Sequence, residues 1–228
     1  MRREPSCGRV VIEADDPYAG VDVIDDGPLI GVRRVIADRL GEAHRNVVPV
    51  TLHRELRAPV PGPRPYDGLV FAVVRALVDQ PALNAAFASG RLRTFGEVNL
   101  GVAFDGPQGL VAPVIRGVHD MTYRELVAAR RELGARVQDR RLALSDLVGG
   151  TFTVSNLGTL GVQHFTPVVN PPQVAILGVG AVRRVVDRSH MPVSLTFDHR
   201  VVDGAPAARF LVRVQHHLDN LQGGTAHL

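Results

Sequence analysis

Titratable chemistry concentrates in one short segment, Thr196-Phe197-Asp198-His199-Arg200-Val201-Val202-Asp203-Gly204. A β-branched and aromatic run, Val193 to Phe197, precedes it, and a helix opened by Pro206 follows. A histidine that ends a strand, with an aspartate four residues on and then glycine, sets an imidazole on a tight turn. Imidazole takes a proton near neutral pH with little tuning, which suits a general base. For a lone histidine the plainer reading is one that only packs at a strand end, and the pattern HxxxDG alone is moderately specific.

A second segment stands out by what it lacks. From Leu147 to Val182 there is no Asp, Glu or Arg, and the one titratable side chain is His164, expected to be structural. A run of that length in a water-exposed protein calls for shelter. Gly, Pro, Asn and Thr interrupt it, so it is not a lipid-facing helix. Central core strands are the plain expectation; a subunit interface and an active-site channel are the sharper one. The embedded Thr151, Thr153, Ser155, Asn156 and Asn170 favour a site, because buried hydroxyls and amides need partners.

Composition narrows the chemistry further. The chain has 228 residues, 45% hydrophobic and 21% charged, with net charge +3, enough for a sizeable core and too apolar for disorder. All 26 cationic residues are arginine. A Schiff-base lysine, a phosphate-binding lysine and a lipoyl-carrying lysine are therefore excluded within this sequence. The single cysteine, Cys7, excludes an internal disulfide and a cysteine-rich zinc site, and no base is paired with it. No metal is expected. No basic run exceeds two adjacent arginines, so no nucleic-acid partner is expected. No stretch of about 18 apolar residues or secretory leader is visible, so neither a membrane partner nor export is expected, and the chain reads as cytoplasmic.

The elements that must hold these residues follow from periodicity. Residues 1–28 read as an arm with one short strand at Val10-Val11-Ile12, and residues 29–228 as one domain. Val32, Val35, Ile36, Leu40 and Ala43 recur at helical spacing. Val47 to Leu52 reads as a strand, Pro59 to Pro65 as a tight connection, and Gly68 to Asp79 as a buried helix. Val98 to Phe104 and Leu110 to Ile115 form a hairpin turned by Asp105-Gly106. Thr122 to Gln138 is a helix, and Ala207, Phe210, Leu211, Val214 and Leu218 stripe the last one.

Several ordered motifs resemble the catalytic domain of the dihydrolipoyl acyltransferases of 2-oxo acid dehydrogenase complexes and, more distantly, chloramphenicol acetyltransferase. They are GVRRVIADRL, QPALNAAF, VNLGVAFDGPQGLVAPVIRG, GGTFTVSNLGTLGVQHFTPVVNPPQVAILGVGAV and LTFDHRVVDGAPAARF, which span about residues 29–219. The resemblance implies an α/β fold of the chloramphenicol-acetyltransferase type, two layers with a mixed β-sheet flanked by helices. It implies direct acyl transfer from acetyl-CoA or another acyl-CoA to a small-molecule acceptor. His199 matches the base that deprotonates the acceptor, and Ser155 the hydroxyl that holds the oxyanion. Asp203 matches the position before glycine, expected to hold the turn through an arginine, with Arg33 or Arg34 as partner. Asn170 and Thr153 are expected at the substrate, and Asp198 and Gly204 as supports of the corner. A homotrimer is implied, with His199 of one subunit facing Ser155 of the next.

Departures from that family shape the functional expectation. No lipoyl domain, binding domain or lipoylated lysine is visible, and the segments around Pro59–Pro65 and Gly180–Met191 look short. Only Ala226 and Leu228 are apolar after Leu221, which argues for an isolated trimer. The expectation is a stand-alone acyltransferase that acetylates a hydroxyl of a specialised metabolite, a tetronate primary alcohol, in antibiotic biosynthesis. The alternatives are a dihydrolipoyl acyltransferase core whose lipoyl domain is supplied by another chain, and a non-catalytic scaffold.

Overall fold

A computed structural model describes residues 21–59, 64–107, 109–186 and 188–221. The strand expected at Val10–Ile12 and the tail after Leu221 lie outside the described residues. The chain divides into two compact units after Asp38. In the first, residues 21–30 are exposed and outside any helix or strand. Helix α1 (Gly31–Asn46) begins there and ends in the second unit, where Ala43 is buried and Leu40 exposed. The side chains of Val32, Val35 and Ile36 lie outside the described residues.

The second unit is built on a mixed sheet in the order β1-β11-β9-β8-β4-β7. Its strands are β1 (Pro49–Pro59), β4 (Leu100–Val102), β7 (Val114–Ile115), β8 (Phe152–Asn156), β9 (Ala175–Val179) and β11 (Arg188–Asp198). β8 runs parallel to both β4 and β9, while β11 is antiparallel to β1 and β9. Two small hairpins lie apart: β2 (Ala85–Ala88) with β3 (Arg91–Thr94), and β5 (Phe104–Gly106) with β6 (Gly109–Val111). A further strand, β10 (Arg183–Val185), pairs with the start of β11.

Side chains alternate across the sheet. Leu56, Phe152, Val154, Leu177, Val179, Leu195 and Phe197 belong to one buried apolar cluster. Helices α2 (Pro65–Asp79), α3 (Tyr123–Gln138) and α4 (Gly204–Asn220) complete it. The Phe152 and Phe210 rings, 5.9 Å apart, join β8 to α4. Each such aromatic contributes about 1.5–3 kcal/mol by leaving water. α3 starts on a capping box: Thr122 accepts from the Glu125 N–H, and the Glu125 carboxylate accepts from the Thr122 N–H. The Asp67 carboxylate, buried in α2, accepts from Arg130 of α3 at 2.9 Å, which ties the two helices. The result is the expected two-layer α/β arrangement.

Several boundaries differ from expectation. Pro65 opens α2, because proline's missing N–H costs nothing in a first turn. α4 opens at Gly204, two residues before Pro206. Asp105 and Gly106 are strand residues, and the expected hairpin bends at Ala103, so its outer half pairs as a separate ribbon. β1 and β11 are each 11 residues long, about twice the expected length.

The charge-free run is only partly sheltered. β8 and β9 are buried, but Leu160 is 72% and Val168 58% exposed in the connection between them.

Candidate active site

The face of the sheet opposite the helices is polar. Thr153 and Ser155 alternate with Phe152 and Val154, so their side chains point away from α4. Ser155 is level with Gly178, Gly178 with Ser194, and Ser194 with His53. One pleat along, Thr153, Ile176, Thr196 and Thr51 form a second row. The hydroxyls are paired across strands: Thr51 with Thr196 at 2.9 Å, and Ser194 with His53 Nδ1 at 2.9 Å.

Ser155 lies one residue from the end of β8. The turn that follows is fixed by Asn156, whose Oδ1 accepts the Gly158 N–H at 2.8 Å. Gly158 then presses on the backbone of Gly180, and Gly180 on the carbonyl of Gln163, where an added Cβ would overlap either neighbour. Those contacts account for glycine in both SNLG and LGVG. Ser155 itself is buried, 9% exposed.

His199 sits at the other end of the sheet, directly after β11. Its N–H donates to Val48 O at 2.8 Å, and the turn closes through the N–H groups of Val201 and Val202 to Asp198 O. Asp198, 2% exposed, holds this corner. Its carboxylate accepts from Arg200 Nε at 2.9 and 3.0 Å and from Arg200 Nη2 at 2.5 Å. It also accepts the backbone N–H of Arg200 at 3.1 Å and of Val48 at 3.3 Å. Burial pushes this carboxyl up, but the hydrogen bonds from Arg200 and Val48 outweigh it and hold the group below its ordinary range. The Arg200 guanidinium rests over the Phe87 ring at 4.8 Å and is in turn held more firmly protonated by Asp198. The imidazole of His199 is left 42% exposed.

Asp203 does not hold the turn in the way expected. Its side chain is 85% exposed, makes no capping bond to α4, and lies 4.0 Å from His199 Nδ1. At that distance it is a charge beside the ring rather than a hydrogen-bond partner. Arg34, one of its two expected partners, instead pairs with Asp38 in its own helix at 3.2 Å. Arg200, adjacent to His199 in sequence, supplies the arginine of the corner, and it does so to Asp198.

Thr153 also differs from expectation. It is buried, and its hydroxyl donates to Gln173 Oε1 at 2.7 Å, so it has no donor left for a substrate. Gln173 Nε2 donates to Gly150 O at 3.0 Å, and the Gln173 N–H to Asn170 O at 3.1 Å. Gln173, which sequence reasoning missed, therefore joins the start of β8 to the loop that carries Asn170. Asn170 is exposed and lies at the His199 end, since Val174 O accepts the Asp198 N–H at 2.8 Å. At Gly204 an added Cβ would meet nothing and the backbone is not left-handed, so no contact within the chain demands glycine there.

Ser155 and His199 thus stand on one sheet but apart. Two strand spacings and five residues separate them, about 20 Å at ordinary sheet dimensions. Among the described residues no group of three or more His, Cys, Asp or Glu could hold a metal ion. None of their helices is long and apolar enough to cross a membrane.

A family model described as 2-oxoacid dehydrogenases acyltransferase (catalytic domain) matches residues 64–224. The dihydrolipoyllysine-residue acetyltransferase component of the pyruvate dehydrogenase complex of Mycoplasma capricolum is 31% identical over 85% of this chain and 50% of its own length. The corresponding component of the acetoin cleaving system of Bacillus subtilis is 36% identical over 84% of this chain and 54% of its own. The chain spans about half the length of these curated relatives.

Among solved structures, the cubic core of the pyruvate dehydrogenase multienzyme complex superposes with a TM-score of 0.82 at 29% identity, covering 91% of this chain and 96% of that one. The dihydrolipoamide acetyltransferase of Azotobacter vinelandii gives the same score and coverage at 30% identity. That protein was studied for the role of a serine, a histidine and an asparagine in its catalytic mechanism, the last two being four residues apart. A chloramphenicol acetyltransferase shares the fold, with a TM-score of 0.55 at 13% identity, covering 79% of this chain and 94% of that one.

These relatives overturn the expectation of a stand-alone enzyme for a tetronate or another specialised metabolite. They are components of 2-oxo acid dehydrogenase and acetoin-cleaving systems, and none supports antibiotic biosynthesis. The features behind that expectation, arginine in place of lysine and the apparent lack of further domains, describe composition and extent. Neither bears on the site. The chain belongs to the acyltransferase catalytic-domain family of the 2-oxoacid dehydrogenases.

Proposed function

We propose that this domain transfers an acyl group between CoA and a dihydrolipoyl thiol, as the core of a 2-oxo acid dehydrogenase or related complex. The lipoyl group comes from outside residues 1–228, which contain no lysine to carry one. The observation that carries the reading is the pairing of Ser155 and His199 on a sheet that leaves them about 20 Å apart within one chain. One reacting carbon cannot touch both, so the site is completed by a second copy. His199 of one subunit meets Ser155 of its neighbour in a homotrimer. The exposed Leu160 and Val168, in the charge-free connection beside Ser155, suit such an interface.

In the transfer the imidazole of His199 takes the thiol proton, and the sulfur forms a bond to the thioester carbonyl carbon. The carbonyl electron pair moves onto oxygen, and the Ser155 hydroxyl donates a hydrogen bond to that oxyanion. Collapse restores the carbonyl and breaks the old carbon–sulfur bond, and the departing CoA thiolate recovers the proton from His199. A thioester is already activated, so one base and one oxyanion donor suffice without a covalent enzyme intermediate. Asp203 keeps the four-residue spacing of the histidine and asparagine studied in the Azotobacter vinelandii enzyme. Its carboxylate stands 4.0 Å from Nδ1, and Nε2 is the ring nitrogen assigned to take the thiol proton. Asn170, exposed at the same end as His199, is assigned to the substrate. Residues 29–228 act as the catalytic unit, with residues 1–28 as an arm.

Assay of the full chain with acetyl-CoA and dihydrolipoamide tests this, with a tetronate alcohol run in parallel. S-acetyldihydrolipoamide is the expected product. Absence of thiol transfer under conditions that fold the protein would overturn the proposal.

A further inference from the structure

The segment Gln163–Phe165 crosses the polar face of the sheet and is pinned at each of its three residues. Gln163 O packs against Gly180, the His164 ring stands edge-on to His53 at 5.5 Å, and the Phe165 ring meets Gly178. His53 is itself tied to Ser194 at 2.9 Å. A Cβ on Gly178 would come within 2.8 Å of Phe165 Cζ and 3.1 Å of Cε1, so the ring is driven end-on into the place a side chain would fill. Gly178 is the register partner of Ser155 on the adjacent strand. The ring therefore stands about 5 Å to the side of the serine, on the face its hydroxyl shares.

We infer that Phe165 is a specificity-determining residue, the fixed wall that limits the size of the acyl group transferred at Ser155. This rests on the acyl-transfer reading proposed above. A carbonyl oxygen bonded to Ser155 Oγ lies about 3 Å from it. The acyl chain beyond that carbonyl must then run beside the ring. On this reading a methyl group passes beside the ring and a branched chain meets it. A hydrophobic wall of this kind discriminates by about 10–200-fold for each added carbon.

The test measures kcat/KM for acetyl-CoA and isobutyryl-CoA with dihydrolipoamide, using the full chain and its Phe165→Ala and Phe165→Leu variants. The wild-type protein is expected to favour acetyl. Phe165→Ala should move the isobutyryl-to-acetyl ratio upward by at least about tenfold, with Phe165→Leu moving it less in the same direction. The leucine variant decides the matter if the alanine variant does not fold. Transfer with a ratio unchanged in the folded variants would overturn the wall and leave the transfer reading standing. No transfer by the wild-type protein from either thioester would overturn both.

Discussion

On its helical face the central sheet presents Leu56, Phe152, Val154, Leu177, Leu195 and Phe197, and on the other Thr51, His53, Thr153, Ser155, Gly178, Ser194 and Thr196. The same strands supply both sets in alternation. On the first face the requirement is generic: apolar volume, closed by α2 and α4. On the second most residues answer to a particular partner, as Thr153 does to Gln173, Ser194 to His53 and Gly178 to Phe165. Stability therefore rests mainly on one face, and the proposed chemistry on the other and at its rim. Changes on the helical face should act on unfolding, and changes on the polar face on turnover.

The sharpest separation is expected at His199. Its side chain is half exposed and its N–H bond to Val48 is backbone, so His199→Ala should leave the melting temperature nearly unchanged. Turnover should fall by about 10²–10⁴-fold with loss of the general base. Thermal unfolding beside steady-state kinetics checks this, and a variant that loses stability and activity together would blur the division. The opposite pattern is expected at Phe210, fully buried against Phe152. Phe210→Ala should cost about 3–5 kcal/mol in urea unfolding. The kcat of the molecules that remain folded should change little.

Ser155→Ala should lower kcat by about 10²–10³-fold while KM moves less, because the oxyanion exists only in the transition state. A rise in KM alone would remove Ser155 from that role. The smallest effect concerns the corner under His199. The carboxyl of Asp198 titrates lower in the folded protein than in the unfolded chain. Its ion pair with Arg200 therefore adds stability above the unfolded pKa, about pH 4, and loses it as pH falls through the depressed folded value. Asp198→Asn should thus be less stable than the wild type at neutral pH, with the gap closing in acid. A gap constant from neutral pH to about pH 2 would contradict the assignment.

The helical face was legible in the sequence because burial leaves a period. The stripe Ala207, Phe210, Leu211, Val214 and Leu218 is buried as read, and the helix read over Thr122–Gln138 is α3. The long strands were less so. β11 carries His190 and Pro192 on its polar face, and proline reads as a break. β1 carries Arg54, Glu55 and Arg57 beyond Leu52, where the β-branched run ends. The roles expected of Ser155 and His199 rest on ordered motifs, whereas the contacts around them leave no periodic trace. Asp198 with Arg200, Gln173 with Thr153, and Phe165 over Gly178 are pairings of single residues that only the folded chain brings together.

The central claim, that the site is shared between two subunits, is tested most directly by complementation. Ser155→Ala and His199→Ala chains would be unfolded, mixed in equal amounts, refolded together and assayed for acetyl transfer to dihydrolipoamide. If the serine and histidine of one site come from neighbouring subunits, random mixing rebuilds intact pairs in about a quarter of the sites, and activity rises far above either parent refolded alone. Activity of the mixture no greater than the mean of the two parents would contradict the shared site.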